Sequence, residues 1–67
     1  MNGMSEILKQ AETKYGFVVT LKKIKGRFTT EWEKFNERFE VCINDKVIID
    51  TYDEYDARQC YKNLLEI

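Results

Sequence analysis

An α+β fold in the order α-β-β-β-α is predicted for this chain, with an antiparallel sheet and both helices on one of its faces. Three observations lead to this prediction. Apolar residues recur at helical spacing near both ends, β-branched and aromatic residues dominate the middle, and two alternating runs there flank a short polar turn. The 67 residues have room for one domain, residues 1–67, and a fourth strand is the alternative to three.

Residues 5–15 are predicted to form the first helix, because apolar residues recur there three and four positions apart. This stripe contains Met4, Ile7, Leu8, Ala11 and Tyr15. Ser5 is suited to begin the helix as its N-cap, and Gly16 is suited to end it.

Residues 17–24 are predicted to form the first strand, since they are rich in β-branched and aromatic side chains. One face of this strand carries Phe17, Val19 and Leu21. The alternation slips at Lys22 and Lys23, where a bulge is expected to return Ile24 to the buried side.

Residues 27–36 fit two interpretations. Phe28, Thr30 and Trp32 alternate as in a strand, whereas Trp32 and Phe35 also fit a helical stripe. We favour an extended strand and turn, because the segment then joins a meander with the strand that follows.

Two alternating runs, 39–43 and 47–49, are separated by Asn44, Asp45 and Lys46, which predicts a β-hairpin. The remaining residues at the C-terminal end predict a second helix over 53–66, because its apolar residues again have helical spacing. This stripe contains Ala57, Cys60, Tyr61 and Leu64. Thr51 and Glu54 occupy the positions of a capping box.

The register of the hairpin depends on the length of its loop. A three-residue loop places Ile43 opposite Val47 and Val41 opposite Ile49, whereas a two-residue loop sets Val41 against Ile48. We prefer the three-residue loop. The open face of the hairpin is then expected to carry Arg38, Glu40, Cys42, Lys46, Ile48 and Asp50.

Charge is segregated along the chain. Residues 1–30 carry six cations and two anions, whereas residues 31–67 carry five cations and ten anions. Such a chain either offers two unlike surfaces to partners or pairs its two halves when it folds.

Catalysis is not expected, because the chain has no histidine and no assembled nucleophile motif. No metal or cofactor is expected either, since two cysteines without histidine do not make a zinc site and no glycine-rich phosphate loop is present. The apolar runs fall far below the about 20 residues that cross a bilayer, so no membrane partner is expected. Without a signal peptide, the expected location is the cytoplasm, with Cys42 and Cys60 reduced.

Two groups of residues are candidates for contact with a partner protein. Asp53, Glu54 and Asp56 form an acidic patch suited to a basic partner, although acids in the first turn of a helix also stabilise its dipole without any partner. Trp32 and Phe35 are candidates for an exposed aromatic contact, since so small a core does not need every aromatic residue. A second copy of the chain, bound through the open sheet face or an edge strand, is another candidate partner.

A nucleic-acid interface is the alternative. Lys22, Lys23, Lys25 and Arg27 place four cations in six residues next to an aromatic residue, which is typical of a strand that follows a phosphate backbone. Lysines that protect an edge strand from aggregation give the same pattern.

The predicted order of helices and strands resembles that of the double-stranded-RNA-binding domain across nearly the whole chain. In that family a lysine cluster at the start of the last helix reaches RNA phosphates, whereas the matching positions here are Asp53, Glu54 and Asp56, which repel RNA. The resemblance therefore implies a topology and no RNA-binding residue. Residues 39–64 also resemble the strand-turn-strand-helix unit of many small bacterial and phage proteins. The sequence as a whole predicts a non-enzymatic protein-binding module, a small regulator or inhibitor of bacterial or phage origin.

Overall fold

The structure is a computed structural model that describes residues 4–25 and 37–66. Within these ranges it contains four strands and one helix in the order β-β-β-β-α. The strands form one antiparallel sheet whose spatial order follows the chain. The elements are β1 (Met4–Glu12), β2 (Val18–Lys25), β3 (Glu37–Ile43), β4 (Lys46–Thr51) and α1 (Glu54–Leu65).

The predicted order α-β-β-β-α, with two helices, is wrong. The segment predicted as the first helix is strand β1, paired with β2. A register shift between Ile7 and Lys9 makes Leu8 a bulge residue. Because a bulge adds one residue to a strand, Leu8 and Ala11 can share a face although they are three positions apart, as on a helix. The RNA-binding-domain topology, which begins with a helix, is therefore also absent from the described residues.

Gly16 ends a hairpin loop and not a helix. Its φ of +88° lies in the left-handed region that glycine adopts without strain. Thr13 organises this loop: its carbonyl accepts a bond of 3.0 Å from the Gly16 N–H, and its N–H donates to the Phe17 carbonyl at 2.7 Å. The Thr13 hydroxyl also accepts bonds from the N–H groups of Tyr15 and Phe17.

The bulge predicted at Lys22 and Lys23 is also wrong. From Val19 to Lys25, β2 pairs with β3 without any shift in register. Ile24 therefore keeps strict alternation and lies opposite Arg38, on the face away from the core. The segment 27–36, for which a strand and turn were predicted, lies outside the described residues.

The β3–β4 hairpin combines the two predicted registers. Its loop has two residues, Asn44 and Asp45, with φ values of 49° and 72° as a type I′ turn requires, so Ile43 lies opposite Lys46. A shift in register then restores the preferred pairing of Val41 with Ile49. The bulge thus keeps Ile49 against the core although the turn is one residue shorter than expected.

The core lies between one face of the sheet and α1. Leu21, Val19 and Val41 are fully buried in the central strands, and Ala57 and Tyr61 are the buried residues of the helix that packs on them. Partly buried apolar residues surround this cluster: Leu8, Ile43, Ile49, Cys60, Leu64 and Leu65. The helix predicted over 53–66 is thus present, with Asp53 and not Thr51 as its N-cap. No described helix is both long and apolar enough to span a membrane.

Leu21→Ala is expected to lower the free energy of unfolding by about 3 kcal/mol, because it leaves a cavity at a fully buried site. Ile7→Ala is the matched control. Since Ile7 is 55% exposed, its truncation should change stability by less than about 0.5 kcal/mol. Urea denaturation of both variants measures the difference, and equal losses would contradict the location of the core.

Candidate functional site

The face of the sheet opposite α1, which we call the open face, is not covered by any described element. One row of directly paired residues crosses it through Gln10, Thr20, Cys42 and Val47. The Gln10 amide donates to the Thr20 hydroxyl at 3.0 Å. Thr20 and Cys42 are only 6% and 2% exposed, so this row forms a closely packed centre.

A second row on the open face is charged. Lys22 lies opposite Glu40, which lies opposite Asp50, and Arg38 forms an ion pair of 3.5 Å with Asp50. Of the residues predicted for this face, Arg38, Glu40, Cys42 and Asp50 are found there. Val47 takes the place predicted for Lys46, because the two-residue turn changes the alternation at the start of β4.

Exposed apolar side chains gather where the sheet approaches the β3–β4 turn. We call this group the apolar end; it consists of Phe17, Val18, Val47 and Ile48, which are 36–48% exposed. Two hydrogen bonds connect the start of β2 to the β3–β4 turn. The Val18 N–H donates to the Asn44 side-chain oxygen at 2.9 Å, and the Asn44 N–H donates to the Val18 carbonyl at 3.0 Å. None of the four side chains belongs to the core cluster. The fold therefore leaves this apolar surface available for contact.

The predicted acidic patch lies at the start of α1. The Asp53 carboxylate accepts bonds from the Tyr55 and Asp56 N–H groups at 2.9 and 3.4 Å, so it acts as the N-cap. Glu54 forms an ion pair with Arg58 at 2.7 Å, and Asp56 is exposed in the first turn. Two of the three acids thus have local structural roles.

Two exposed tyrosines adjoin this acidic patch. Tyr52 and Tyr55 are the most exposed large apolar residues that the structure describes, at 66% and 68%. Neither tyrosine was among the predicted contact residues, although both stand next to acids in residues 52–56 of the sequence. Trp32 and Phe35, the other predicted contact residues, lie outside the described residues.

The predicted basic strand does not form one surface. Lys22 points to the open face, whereas Lys23 and Lys25 point to the other, because successive residues of a strand alternate. Lys23 lies opposite Glu6 and forms an ion pair of 3.1 Å with Glu37. Arg27 lies outside the described residues.

Neither a family model, nor a curated protein, nor a solved structure matches this chain. Its function therefore has to be argued from its own surface.

The two thiols are free and lie on opposite sides of the sheet. Cys42 faces the open side, whereas Cys60 packs against the core from α1. Burial raises the pKa of the Cys42 thiol; Lys22 opposes this effect, and Glu40 and Asp45 add to it. Burial also raises the pKa of Cys60. Both thiols are therefore protonated near neutral pH and are weak nucleophiles. Among the described residues, no group of three or more cysteines or carboxylates could hold a metal ion.

Asp53→Ala is expected to lower the free energy of unfolding by about 1 kcal/mol, because the first N–H groups of α1 lose their acceptor. Asp56→Ala is the matched control, since it removes an acid from the same turn without removing the cap. Thermal denaturation of both variants at equal ionic strength measures the effect. A larger loss for Asp56→Ala would contradict the assignment of the cap.

Stability is expected to fall at alkaline pH. Burial raises the pKa values of Cys42, Cys60 and Tyr61. There is therefore a range of alkaline pH in which these three groups are protonated in the folded chain but ionised in the unfolded chain. The unfolded values are about 8.5 for cysteine and about 10 for tyrosine. The stabilisation is therefore complete below about pH 8 and is lost as the pH rises through the folded pKa values.

Urea denaturation from neutral to alkaline pH tests this dependence. Replacing both cysteines by alanine should reduce the decline in the free energy of unfolding between about pH 8.5 and about pH 10. The part of the decline that is due to Tyr61 should remain. An unchanged decline would show that the thiols do not cause it.

Proposed function

We propose that this protein is a non-enzymatic protein-binding module that contacts its partner through the apolar end. The observation that carries the proposal is the exposure of four apolar side chains, Phe17, Val18, Val47 and Ile48, at one end of a sheet whose core does not use them. Apolar side chains that are exposed together at one end of a sheet are unfavourable in water, and such exposure is typical of a protein contact.

The surroundings of the apolar end also support a protein partner. Along the open face, the packed row through Thr20 and Cys42 is followed by Lys22, Glu40 and Asp50, which carry both signs of charge. An apolar centre beside polar groups is the usual arrangement of a protein interface. Mixed charges at the rim select a partner with the complementary pattern and reject like-charged surfaces.

We propose that the protein acts by binding to a partner protein and covering part of its surface, as a small regulator or inhibitor does. The raised pKa values of the two thiols give no support to a reactive cysteine. A cytoplasmic location belongs to the same proposal, because both described cysteines are free, as in a reducing compartment.

The nucleic-acid alternative receives less support. A phosphate backbone requires several uncompensated cations along one surface. Lys22 and Lys23 instead lie on opposite faces, and Lys23 pairs with Glu37 at 3.1 Å.

Affinity capture from the source cell tests the proposal. The double variant Val47→Thr/Ile48→Thr removes apolar surface while keeping residues suited to a strand. We expect it to lose the proteins that the wild type retains, and Ile7→Thr, which changes an exposed aliphatic residue outside the apolar end, to retain them. Capture of the same proteins by all three chains would contradict a contact through the apolar end.

A salt titration separates the two classes of partner. Binding through the apolar end should change little with added salt, whereas phosphate-driven binding should weaken steeply. A partner that is nucleic acid and is released by salt would refute the proposed function.

A further inference from the structure

We infer that a groove between β1 and α1 binds an extended protein segment in which acidic and apolar residues alternate at every second position, so that both face the groove. The groove has a volume of about 330 Å³. Its lining residues are Lys9, Leu21, Arg58, Gln59, Tyr61, Lys62 and Leu65. It lies on the helix side of the sheet and shares no residue with the apolar end, so this inference stands independently of the proposed function.

The groove exists because α1 is narrower than the sheet. The helix packs on β2, β3 and β4, so β1 lies beyond its edge. Leu21 from β2, together with Tyr61 and Leu65 from α1, gives the groove an apolar surface. An apolar side chain of a ligand would be removed from water there.

The charge of the groove favours an acidic ligand. Lys9 on β1 faces Arg58 and Lys62 on α1 across it. Arg58 is engaged by Glu54 at 2.7 Å, whereas Lys9 and Lys62 form no ion pair with any other residue that the structure describes. Two cations that the described residues do not compensate therefore border the groove, in a chain whose net charge is −1.

The edge of the sheet favours an extended ligand. β1 is the outermost strand and pairs only with β2 among the described elements. A peptide added along its outer edge would gain main-chain hydrogen bonds, and every second side chain would point toward the groove. An apolar side chain could then occupy the groove, while the acidic residues two positions before and after it point to the same face and approach Lys9 and Lys62.

Other occupants match the groove less well. A nucleic-acid backbone would meet an apolar surface and the Glu54 carboxylate. A small amphiphile such as a fatty acid would use the groove and the cations but not the strand edge, and the experiments below treat it as a separate outcome.

The first experiment titrates the folded protein with a blocked peptide of sequence Glu-Thr-Leu-Thr-Glu, whose Glu and Leu side chains share one face when extended, and follows backbone amide resonances by NMR. We expect shifts in β1 and α1, and none with the control peptide Lys-Thr-Leu-Thr-Lys. Absence of shifts with the acidic peptide, or equal shifts with both peptides, would overturn the inference.

The second experiment tests the two cations. Lys9→Glu/Lys62→Glu should weaken binding of the acidic peptide about tenfold, because attraction becomes repulsion at both sides of the groove. Lys14→Glu/Lys46→Glu makes the same change in net charge at two exposed positions, one in the β1–β2 loop and one at the start of β4, and should alter affinity less than about twofold. Equal weakening by both variants would show that net charge alone causes the effect, and would overturn the binding site at the groove.

The third experiment tests strand addition. Two acidic peptides are N-methylated at alternate backbone amides, one at odd positions and one at even positions. Only one set of amides can point toward β1, so one peptide should lose binding and the other should retain it. Equal binding by both methylated peptides would overturn strand addition. Shifts of groove amide resonances with decanoate but not with the acidic peptide would also overturn it, and would assign the groove to a small amphiphile.

Discussion

Among residues 4–25 and 37–66, the packing of one helix on one face of a four-stranded sheet determines which surfaces stay uncovered. A helix is about 10 Å wide, whereas strands are spaced by about 4.8 Å, so α1 can cover the central strands but not the whole sheet. Ala57 and Tyr61 bury Leu21 and Val41 beneath the helix. The uncovered remainder gives the groove beside β1 on one face and the open face on the other. The groove thus follows from the mismatch in width, and the open face follows from the location of α1 on the other side of the sheet.

Part of this fold could be predicted because the responsible interactions are local. The C-terminal helix has its own apolar stripe and a polar residue that caps it, and the β3–β4 hairpin has a turn of its own. The first strand could not be predicted in this way. The spacing of Leu8 and Ala11 fits one face of a helix and also one face of a bulged strand. Only pairing with β2 decides between them, and that pairing is a tertiary interaction.

The surfaces were harder to predict than the elements. Four cations close together in sequence suggested one basic surface, but alternation along β2 places Lys22 and Lys23 on opposite faces. The apolar end, in contrast, joins Val18 to the β3–β4 turn through Asn44, a contact between residues 26 positions apart. No local pattern contains that contact. The two-residue turn adds a further change, because it exposes Val47 where the preferred register had buried it.

The segregation of charge along the chain is largely resolved by strand pairing. The basic strand β2 lies between β1 and β3, and its lysines meet acids of both neighbours. Lys22 lies opposite Glu40 of β3, and Lys23 lies opposite Glu6 of β1 and pairs with Glu37 of β3. The two halves of the chain thus neutralise each other within the sheet. Cations that do not take part in this strand pairing therefore say more about a ligand than the cluster of lysines in β2 does. Lys9 at the sheet edge and Lys62 on the helix are such cations, and they meet at an apolar groove. Charge that the described part of the chain does not compensate therefore lies on the helix side of β1.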